Sequence, residues 1–286
     1  MITGTTRVAG VIGSPVRHSL SPALHNAAFV HRGFDAVYAA FEVARGRASH
    51  ALDAMEHLDL LGLSVTMPHK EDMWACLSER GRLDPHAAAL RTVNTVARDA
   101  DGTLVGASTD GPGLVASLRV DAGCEPGGRR CAVIGAGGAA RAISQALVEA
   151  GAAQVLVVAR RVEQAEQAVA IAGPAAAVGR LGELRDVDVI VHATPVGMGE
   201  RQGELPLDPE LLHPGHLVVD AVYHPLDTAL LQAARSAGAA TLDGLGMLVH
   251  QAALQQRWWT GRLGDPVVMR AAAEAELTRR SAAPRH

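Results

Sequence analysis

The sequence contains one lysine, three cysteines and no long apolar run. Cys76, Cys124 and Cys131 lack CxxC spacing, which argues against a disulfide framework and a zinc site. No apolar stretch reaches the roughly 18 residues of a transmembrane helix, and the first residues lack a signal-peptide pattern. The 26 basic and 30 acidic residues give a formal net charge of −4, without the basic excess typical of nucleic-acid binders. These absences predict a soluble, cytoplasmic protein whose partners are small molecules, not nucleic acid or membrane.

The scarcity of lysine draws attention to Lys70, the one lysine among 26 basic residues. Arginine stays protonated, whereas a lysine amine exchanges its proton when its pKa is lowered. Lys70 follows Pro68 in the first turn of a predicted helix, where a cation opposes the helix dipole. A purely structural role is therefore less attractive, and Lys70 is a candidate proton-transfer group.

Two patterns of alternating strands and helices divide the chain. Residues 1–112 alternate strand and helix and end in a predicted hairpin over 92–107. Residues 113–245 alternate strand and helix regularly, which predicts a doubly wound parallel sheet of Rossmann type. The last predicted helices have no later strand to pair with. We therefore predict an α/β protein of two domains, in which the C-terminal helices of residues 246–286 complete the N-terminal α/β domain.

A glycine-rich turn follows the first strand of the second domain. The run Gly135-Ala136-Gly137-Gly138-Ala139-Ala140 fits GxGxxG/A and opens a predicted helix, which predicts a dinucleotide at the helix N-terminus. The next strand ends at Arg160 and Arg161, without the acidic residue that usually bonds a ribose 2′-hydroxyl. A solvated strand end would also explain the two arginines. Two guanidinium groups suit a 2′-phosphate, so the predicted cofactor is NADP.

Polar clusters in the first domain stand where packing alone does not require them. Ser19 and Ser21 are two residues apart, so both hydroxyls can face one carboxylate, although Ser21 is equally suited to cap the next helix. The predicted hairpin brings Asn94 close to Asp110, which lies at a strand-to-helix turn and is otherwise an ordinary N-cap. No histidine shows metal-ligand spacing, and no metal is expected.

Eight segments, in order and spacing, resemble those of the shikimate dehydrogenase family over nearly the whole chain. They are HSLSP at 18–22, SVTMPHK at 64–70, TVNT at 92–95, STDG at 108–111, GAGGAAR at 135–141, ATPVGM at 193–198, DAVYHP at 220–225 and DGLGMLVHQAA at 243–253.

The resemblance implies an NADP-dependent oxidoreductase that reversibly reduces 3-dehydroshikimate to shikimate, in the shikimate pathway of aromatic amino-acid biosynthesis. The first domain (1–112 and 246–286) would bind the substrate, and the second (113–245) would bind NADP. Lys70 and Asp110 would form the catalytic pair. The residues expected to bind substrate are Ser19, Ser21, Thr66, Asn94, Tyr223 and Gln251. Those expected to contact the cofactor are Gly135, Gly137, Gly138, Ala139, Arg160, Arg161, Thr194, Met198, Gly244 and Met247. A monomer or a homodimer is expected.

The chain also departs from the family pattern. Asn is usual where this chain has Ser64, Ser108 and His192. Because Ser64 and Ser108 border the implied substrate pocket, three alternatives stay open: a quinate/shikimate dehydrogenase, an aminoshikimate dehydrogenase using NAD(P), and a shikimate-binding paralogue without turnover. A folate-linked dehydrogenase of similar architecture has less support, because HSLSP and STDG fit the shikimate family. His192 is expected to be a satisfied loop residue and not a catalyst.

Overall fold

A computed structural model describes residues 2–282 and divides them into two compact units. One unit combines residues up to Thr109 with those from Gln251 onward, and the other runs from Asp110 to His250. The sequence-based boundaries, after 112 and after 245, fall a few residues from these. The assignment of substrate and cofactor to separate domains stays a prediction, and residues 283–286 of the first predicted domain lie outside the described residues.

The first unit is built around a six-stranded mixed sheet with the order β2-β1-β3-β5-β6-β4. Its strands are β1 (Arg7–Gly13), β2 (Ala36–Glu42), β3 (Gly62–Val65), β4 (Arg82–Leu83), β5 (Thr95–Arg98) and β6 (Leu104–Ala107). Its helices are α1 (Ser21–His31), α2 (Ala48–His57), α3 (Lys70–Arg80), α4 (Pro85–Leu90) and, late in the chain, α10 (Pro266–Ala282). The antiparallel pairing of β5 with β6 confirms the predicted hairpin.

Strand β1, which lies between β2 and β3, is buried on both faces over most of its length. Ile12 packs into one apolar cluster with Leu63 and Met73, whereas Ala9 and Val11 belong to another. Alternation of side chains along a strand sends successive residues to opposite faces, so β1 reads as a continuous apolar run. Helix α10 packs against α1.

The second unit contains a six-stranded sheet in which every pairing is parallel. Its strands are β7 (Arg130–Ile134), β8 (Gln154–Val158), β9 (Ala176–Val178), β10 (Val189–His192), β11 (Leu217–Asp220) and β12 (Ala240–Leu242). Its helices are α5 (Asp110–Asp121), α6 (Gly138–Glu149), α7 (Val162–Ala172) and α8 (Ala229–Ser236), and helix α9 (Gly244–Thr260) begins in it and ends in the first unit. Short 3₁₀ turns cover Leu181–Asp186, Gly199–Arg201 and Pro209–Leu211.

The strand order of this sheet is β9-β8-β7-β10-β11-β12, the doubly wound order of dinucleotide-binding domains. The prediction of a Rossmann-type sheet is therefore confirmed. The direction of winding reverses between β7 and β10, and ligands of such sheets bind outside the carboxyl ends of the strands at that point. Within residues 2–282, no helix is long and apolar enough to cross a membrane.

Candidate active site and cofactor cleft

A cleft of about 850 Å³ opens at the carboxyl ends of β7, β8 and β10, inside the second unit. Five of the predicted cofactor residues line it: Gly135, Gly137, Arg160, Arg161 and Thr194. Its position is the one expected from the reversal of strand order.

Gly135 shapes the floor of the cleft. Its φ of 129° lies in the region that favours glycine, and its N–H donates to the Val158 carbonyl oxygen over 2.8 Å. A Cβ on Gly135 would stand 2.7 Å from the carbonyl oxygen of Ala193. A Cβ on Gly137 or Gly138 would instead meet nothing within 4 Å, which leaves room in front of the α6 N-terminus. Backbone N–H groups there suit a pyrophosphate, so these residues fit the predicted dinucleotide.

Arginines surround the opening of the cleft. Arg160 and Arg161 are exposed between β8 and α7. Arg180 and Arg201, which the sequence reasoning missed, line the same cleft. Arg201 is held by Glu204 at 2.6 Å, whereas Arg180 lies two residues beyond the end of β9. Such a cationic rim suits the phosphates of a dinucleotide. Recognising β9 would have identified Arg180, because residues after parallel strands gather at this edge.

The other predicted cofactor residues, namely Gly138, Ala139, Met198, Gly244 and Met247, are not among the residues that line this cleft. Gly138 and Ala139 form the first turn of α6. Met198 is 43% exposed, and Met247 packs into the core of the second unit. Packing alone explains why position 244 is a glycine, since a Cβ there would lie 2.6 Å from the carbonyl oxygen of Ala221. The cofactor roles of these five residues stay predictions.

A buried polar network stands behind Thr194. His192 ends β10 beside Asp220, which ends β11 and is its partner in the strand register. The Nδ1 atom of His192 lies 2.9 Å from Oδ1 of Asp220, and its Nε2 atom lies 2.6 Å from Oγ1 of Thr194. Asp220 also accepts hydrogen bonds from the Thr228 hydroxyl at 2.7 Å and the Val222 N–H at 3.0 Å. The expectation that His192 is satisfied is confirmed, but it ends strand β10 and does not lie in a loop, and it contacts a residue of the cleft.

In the first unit, the loop after β1 carries the predicted serines. The N–H of Ser21 donates to the hydroxyl oxygen of Ser19 over 3.2 Å, which fixes the two residues relative to each other. The alternative of Ser21 as an N-cap is wrong, because α1 begins at Ser21 itself and Leu20 holds the cap position without a side-chain cap. A proline in the first turn already lacks the N–H that a cap would serve. The Ser21 hydroxyl contacts the Tyr38 phenol instead.

Tyr38 links the serine loop to Ser64. Its hydroxyl donates to Oγ of Ser64 over 2.6 Å, and Ser64 donates to Oε1 of Gln255 over 2.7 Å. Burial raises the pKa of Tyr38, although its hydrogen bonds with Ser64 and Ser21 oppose the shift. The Gln255 amide in turn donates to the carbonyl oxygen of Asn94 over 3.2 Å. Ser64, where the family usually has Asn, is thus a member of a buried polar network.

Asn94 is buried and its side chain is held in one orientation. Its Oδ1 accepts from the N–H of Thr109 at 2.9 Å and from the hydroxyl of Thr95 at 2.8 Å. Its Nδ2 donates to the Thr109 hydroxyl at 3.0 Å. The Thr109 hydroxyl also lies 3.5 Å from Oε1 of Gln251, on α9. The structure therefore brings Asn94 and Gln251, two predicted substrate residues, around Thr109.

Thr66 and Lys70 follow β3 in the same unit. The N–H of Thr66 donates to the carbonyl oxygen of Ile12 over 3.0 Å, and Lys70 begins α3. The carbonyl oxygen of Lys70 accepts from the N–H of Val93 over 2.9 Å, one residue before Asn94. Backbone hydrogen bonds thus connect Thr66 to strand β1 and Lys70 to the segment that carries Asn94. Asp110, the first residue of α5, and the predicted substrate residue Tyr223 belong to the second unit.

The strand order, glycine turn and arginine-lined cleft of the second unit are features of the dinucleotide-binding domains that oxidoreductases use. Family models agree: residues 130–224 match an NADP oxidoreductase (coenzyme F420-dependent) family, residues 11–96 a shikimate dehydrogenase substrate-binding domain, and residues 244–274 a shikimate 5′-dehydrogenase C-terminal domain. Because proteins named shikimate dehydrogenase (NADP(+)) are also 41–42% identical over 94–96% of this chain, the chain belongs to the shikimate dehydrogenase family.

Individual relatives cover nearly the whole chain. A Methanopyrus kandleri protein named shikimate dehydrogenase (NADP(+)) is 42% identical over 96% of this chain and 98% of its own. The Thermus thermophilus shikimate 5-dehydrogenase, solved with NADP(H) and shikimate, superposes with a TM-score of 0.85 at 36% identity, covering 94% of this chain and 99% of that one. A quinate dehydrogenase from Corynebacterium glutamicum, solved with NAD, has the same TM-score and coverage at 30% identity.

Proposed function

We propose that this chain is an NADP-dependent dehydrogenase that interconverts shikimate and 3-dehydroshikimate in aromatic amino-acid biosynthesis. The observation that carries the proposal is its likeness, over nearly the full length of both chains, to relatives named shikimate dehydrogenase (NADP(+)). The arginine-lined cleft supports the choice of cofactor, because Arg160 and Arg161 follow β8 where an NAD site usually has an acidic residue.

The serine loop is proposed to bind the substrate carboxylate. Ser19 and Ser21 are fixed relative to each other by one hydrogen bond, and the Ser21 hydroxyl does not cap α1. Hydroxyl groups are suited to donate to a carboxylate. Tyr223 is proposed to assist them through its own hydroxyl.

The ring hydroxyls of the substrate are proposed to contact Thr66, Lys70, Asn94, Asp110 and Gln251. Asn94 supports this role best, because its amide is buried and its orientation is set by Thr95 and Thr109. A site whose polar groups are preset in this way rejects ligands that leave those groups unpaired.

Lys70 and Asp110 are proposed as the catalytic pair. Bound NADP supplies the hydride chemistry of the reaction. The Lys70 amine takes the proton from the reacting hydroxyl when the alcohol is oxidised and returns it to the same oxygen when the ketone is reduced. Asp110 is proposed to stabilise the charged amine. Arginine cannot replace Lys70 in this step because a guanidinium keeps its proton.

A steady-state assay at the NADPH absorbance tests the proposal. Shikimate and quinate are each paired with NADP and with NAD. We expect efficient turnover with shikimate and NADP, and a much lower kcat/KM for the other three pairs. Preference for quinate would assign the activity of the Corynebacterium relative instead. Binding of shikimate without turnover by any pair would favour a binding protein, and turnover of an amino-substituted analogue alone would favour an aminoshikimate dehydrogenase. Light scattering would distinguish between the two expected states, a monomer and a homodimer.

A further inference from the structure

We propose that His192 is a positioning residue for the cofactor: through Nε2 it holds the Thr194 hydroxyl so that Thr194 offers the cleft a hydrogen-bond acceptor. The inference rests on the proposed dinucleotide-dependent function. It assigns a role to the buried Asp220–His192–Thr194 chain, in a position where the family usually has Asn.

The hydrogen positions follow from the partners of Asp220. A carboxylate accepts hydrogen bonds and donates none, and Asp220 receives the Thr228 hydroxyl hydrogen and the Val222 N–H. His192 therefore directs an Nδ1–H group at Oδ1 of Asp220 over 2.9 Å. In the proposed arrangement the imidazole is neutral with its hydrogen on Nδ1, so Nε2 carries a lone pair.

In this arrangement the Thr194 hydroxyl gives its hydrogen to Nε2 of His192, across 2.6 Å. One lone pair of Oγ1 accepts the N–H of Val196 over 3.2 Å. The remaining lone pair is an acceptor, and Thr194 lines the cleft together with Gly135. Thr194 therefore suits a ligand group that donates a hydrogen, such as a ribose hydroxyl or a carboxamide N–H, and does not suit a phosphate oxygen.

The position of His192 in the sheet allows its ring to contact Asp220 and Thr194 at the same time. His192 is fully buried, and its place at the end of β10 puts Asp220 directly beside it in the register. The imidazole reaches partners at both ends of the ring. An asparagine carries an N–H where the ring has Nδ1, but has no atom where the ring has Nε2. His192→Asn therefore separates the two contacts: it retains a donor for Asp220 and releases Thr194.

NADPH fluorescence titration of the full chain tests the proposal without depending on turnover. His192→Asn and Thr194→Val are each expected to weaken NADPH binding about fivefold, the equivalent of one hydrogen bond of about 1 kcal/mol. The double variant is expected to match the single ones, because both remove the same interaction. The melting temperature of His192→Asn is expected to stay close to wild type, since Asp220 keeps its donor. Thr194→Ser retains the hydroxyl that Thr194→Val removes, and is therefore expected to bind NADPH nearly as tightly as the wild type.

The nucleotide dependence separates this inference from the proposed function. Ribose and nicotinamide are common to both cofactors, so His192→Asn is expected to weaken the binding of NADH and the binding of NADPH by the same factor. A wild-type protein that binds NADH in place of NADPH would overturn the NADP assignment and leave the His192 test intact. Unchanged cofactor binding by His192→Asn, or effects that multiply in the double variant, would overturn the role of His192. So would ¹⁵N NMR showing a proton on its Nε2.

Discussion

Arg280 donates a hydrogen bond to the carbonyl oxygen of Ser19 over 3.1 Å, from the last turns of α10. The same guanidinium donates to the carbonyl oxygen of His18 over 2.6 Å. Glu276, one turn earlier, holds Arg280 at 2.6 Å, and the hydrogen bonds from Arg279 and Arg280 lower the pKa of its carboxyl to about 2. The serine loop proposed to bind the substrate carboxylate is thus anchored to the C-terminal helix.

Replacing Arg280 by alanine is expected to raise the KM for shikimate about tenfold. The two backbone hydrogen bonds hold the loop in its binding geometry, and charge-assisted bonds contribute about 1.5–3 kcal/mol each. The KM for NADP is expected to stay within about twofold of wild type. Arg279→Ala is the matched control, because Arg279 pairs with the same glutamate and is 72% exposed. Equal effects of both substitutions would contradict a specific role for Arg280.

Lys70→Ala is expected to lower kcat by about 10² to 10⁴-fold, the usual contribution of a positioned proton-transfer group. Lys70→Arg keeps the positive charge but not an exchangeable proton, so a similar loss is expected. NADPH binding, measured by fluorescence, serves as the control and should change little. Substantial turnover by Lys70→Arg would show that charge, not proton transfer, is what the reaction requires.

Removing the arginines of the cleft should change the choice of nucleotide. The Arg160→Ala/Arg161→Ala double variant is expected to raise the KM for NADP by about ten- to a hundredfold, because charge-assisted contacts are lost. The KM for NAD is expected to change little. Arg180→Ala is expected to act in the same direction but less strongly, because Arg180 lies after a neighbouring strand. Arg185→Ala, an exposed arginine that does not line the cleft, is the control. A loss of equal size for NADP and NAD would refute recognition of the 2′-phosphate.

The burial of His25 is expected to make the free energy of unfolding depend on pH. His25 is fully buried, stacks on Tyr38 with ring centroids 4.2 Å apart, and burial lowers its pKa from 6.5 to about 3. Since the unfolded chain binds the proton below pH 6.5 and the folded chain does not, stability falls as the pH drops from 6.5 toward 3. The slope is about 1.4 kcal/mol per pH unit. Melting curves of His25→Gln should show a shallower decline over this range, and an unchanged slope would rule out His25 as its source.

Much of the fold could be predicted because local and long-range signals agree. Cys131 and Val133 pack on one side of β7, and Ala132 and Ile134 on the other, so the strand reads as an unbroken apolar run. The glycines after it mark the turn into α6. The edge strands β4, β9 and β12 were not predicted, because runs of two or three residues carry no periodicity.

The polar contacts behind the site could not be predicted from the chain alone. Tyr38, Ser64 and Gln255 are far apart in sequence, and their hydrogen bonds arise from tertiary packing. The same holds for His192 and Asp220, which become neighbours only through the register of two parallel strands. Resemblance pointed to the residues expected to touch ligands, but not to those that hold them in place.

The discontinuity of the first unit has a consequence for synthesis. Residues 110–250 are contiguous, and each strand of their sheet is present once Leu242 has been made. The N-terminal sheet instead needs Trp259, whose indole donates to the Val96 carbonyl oxygen over 3.0 Å, and α10, which packs on α1. On the ribosome, therefore, the middle of the chain can fold first. The N-terminal sheet can be completed only after the C-terminal helices have been synthesised. The serine loop acquires its Arg280 anchor only after Arg280 has left the exit tunnel.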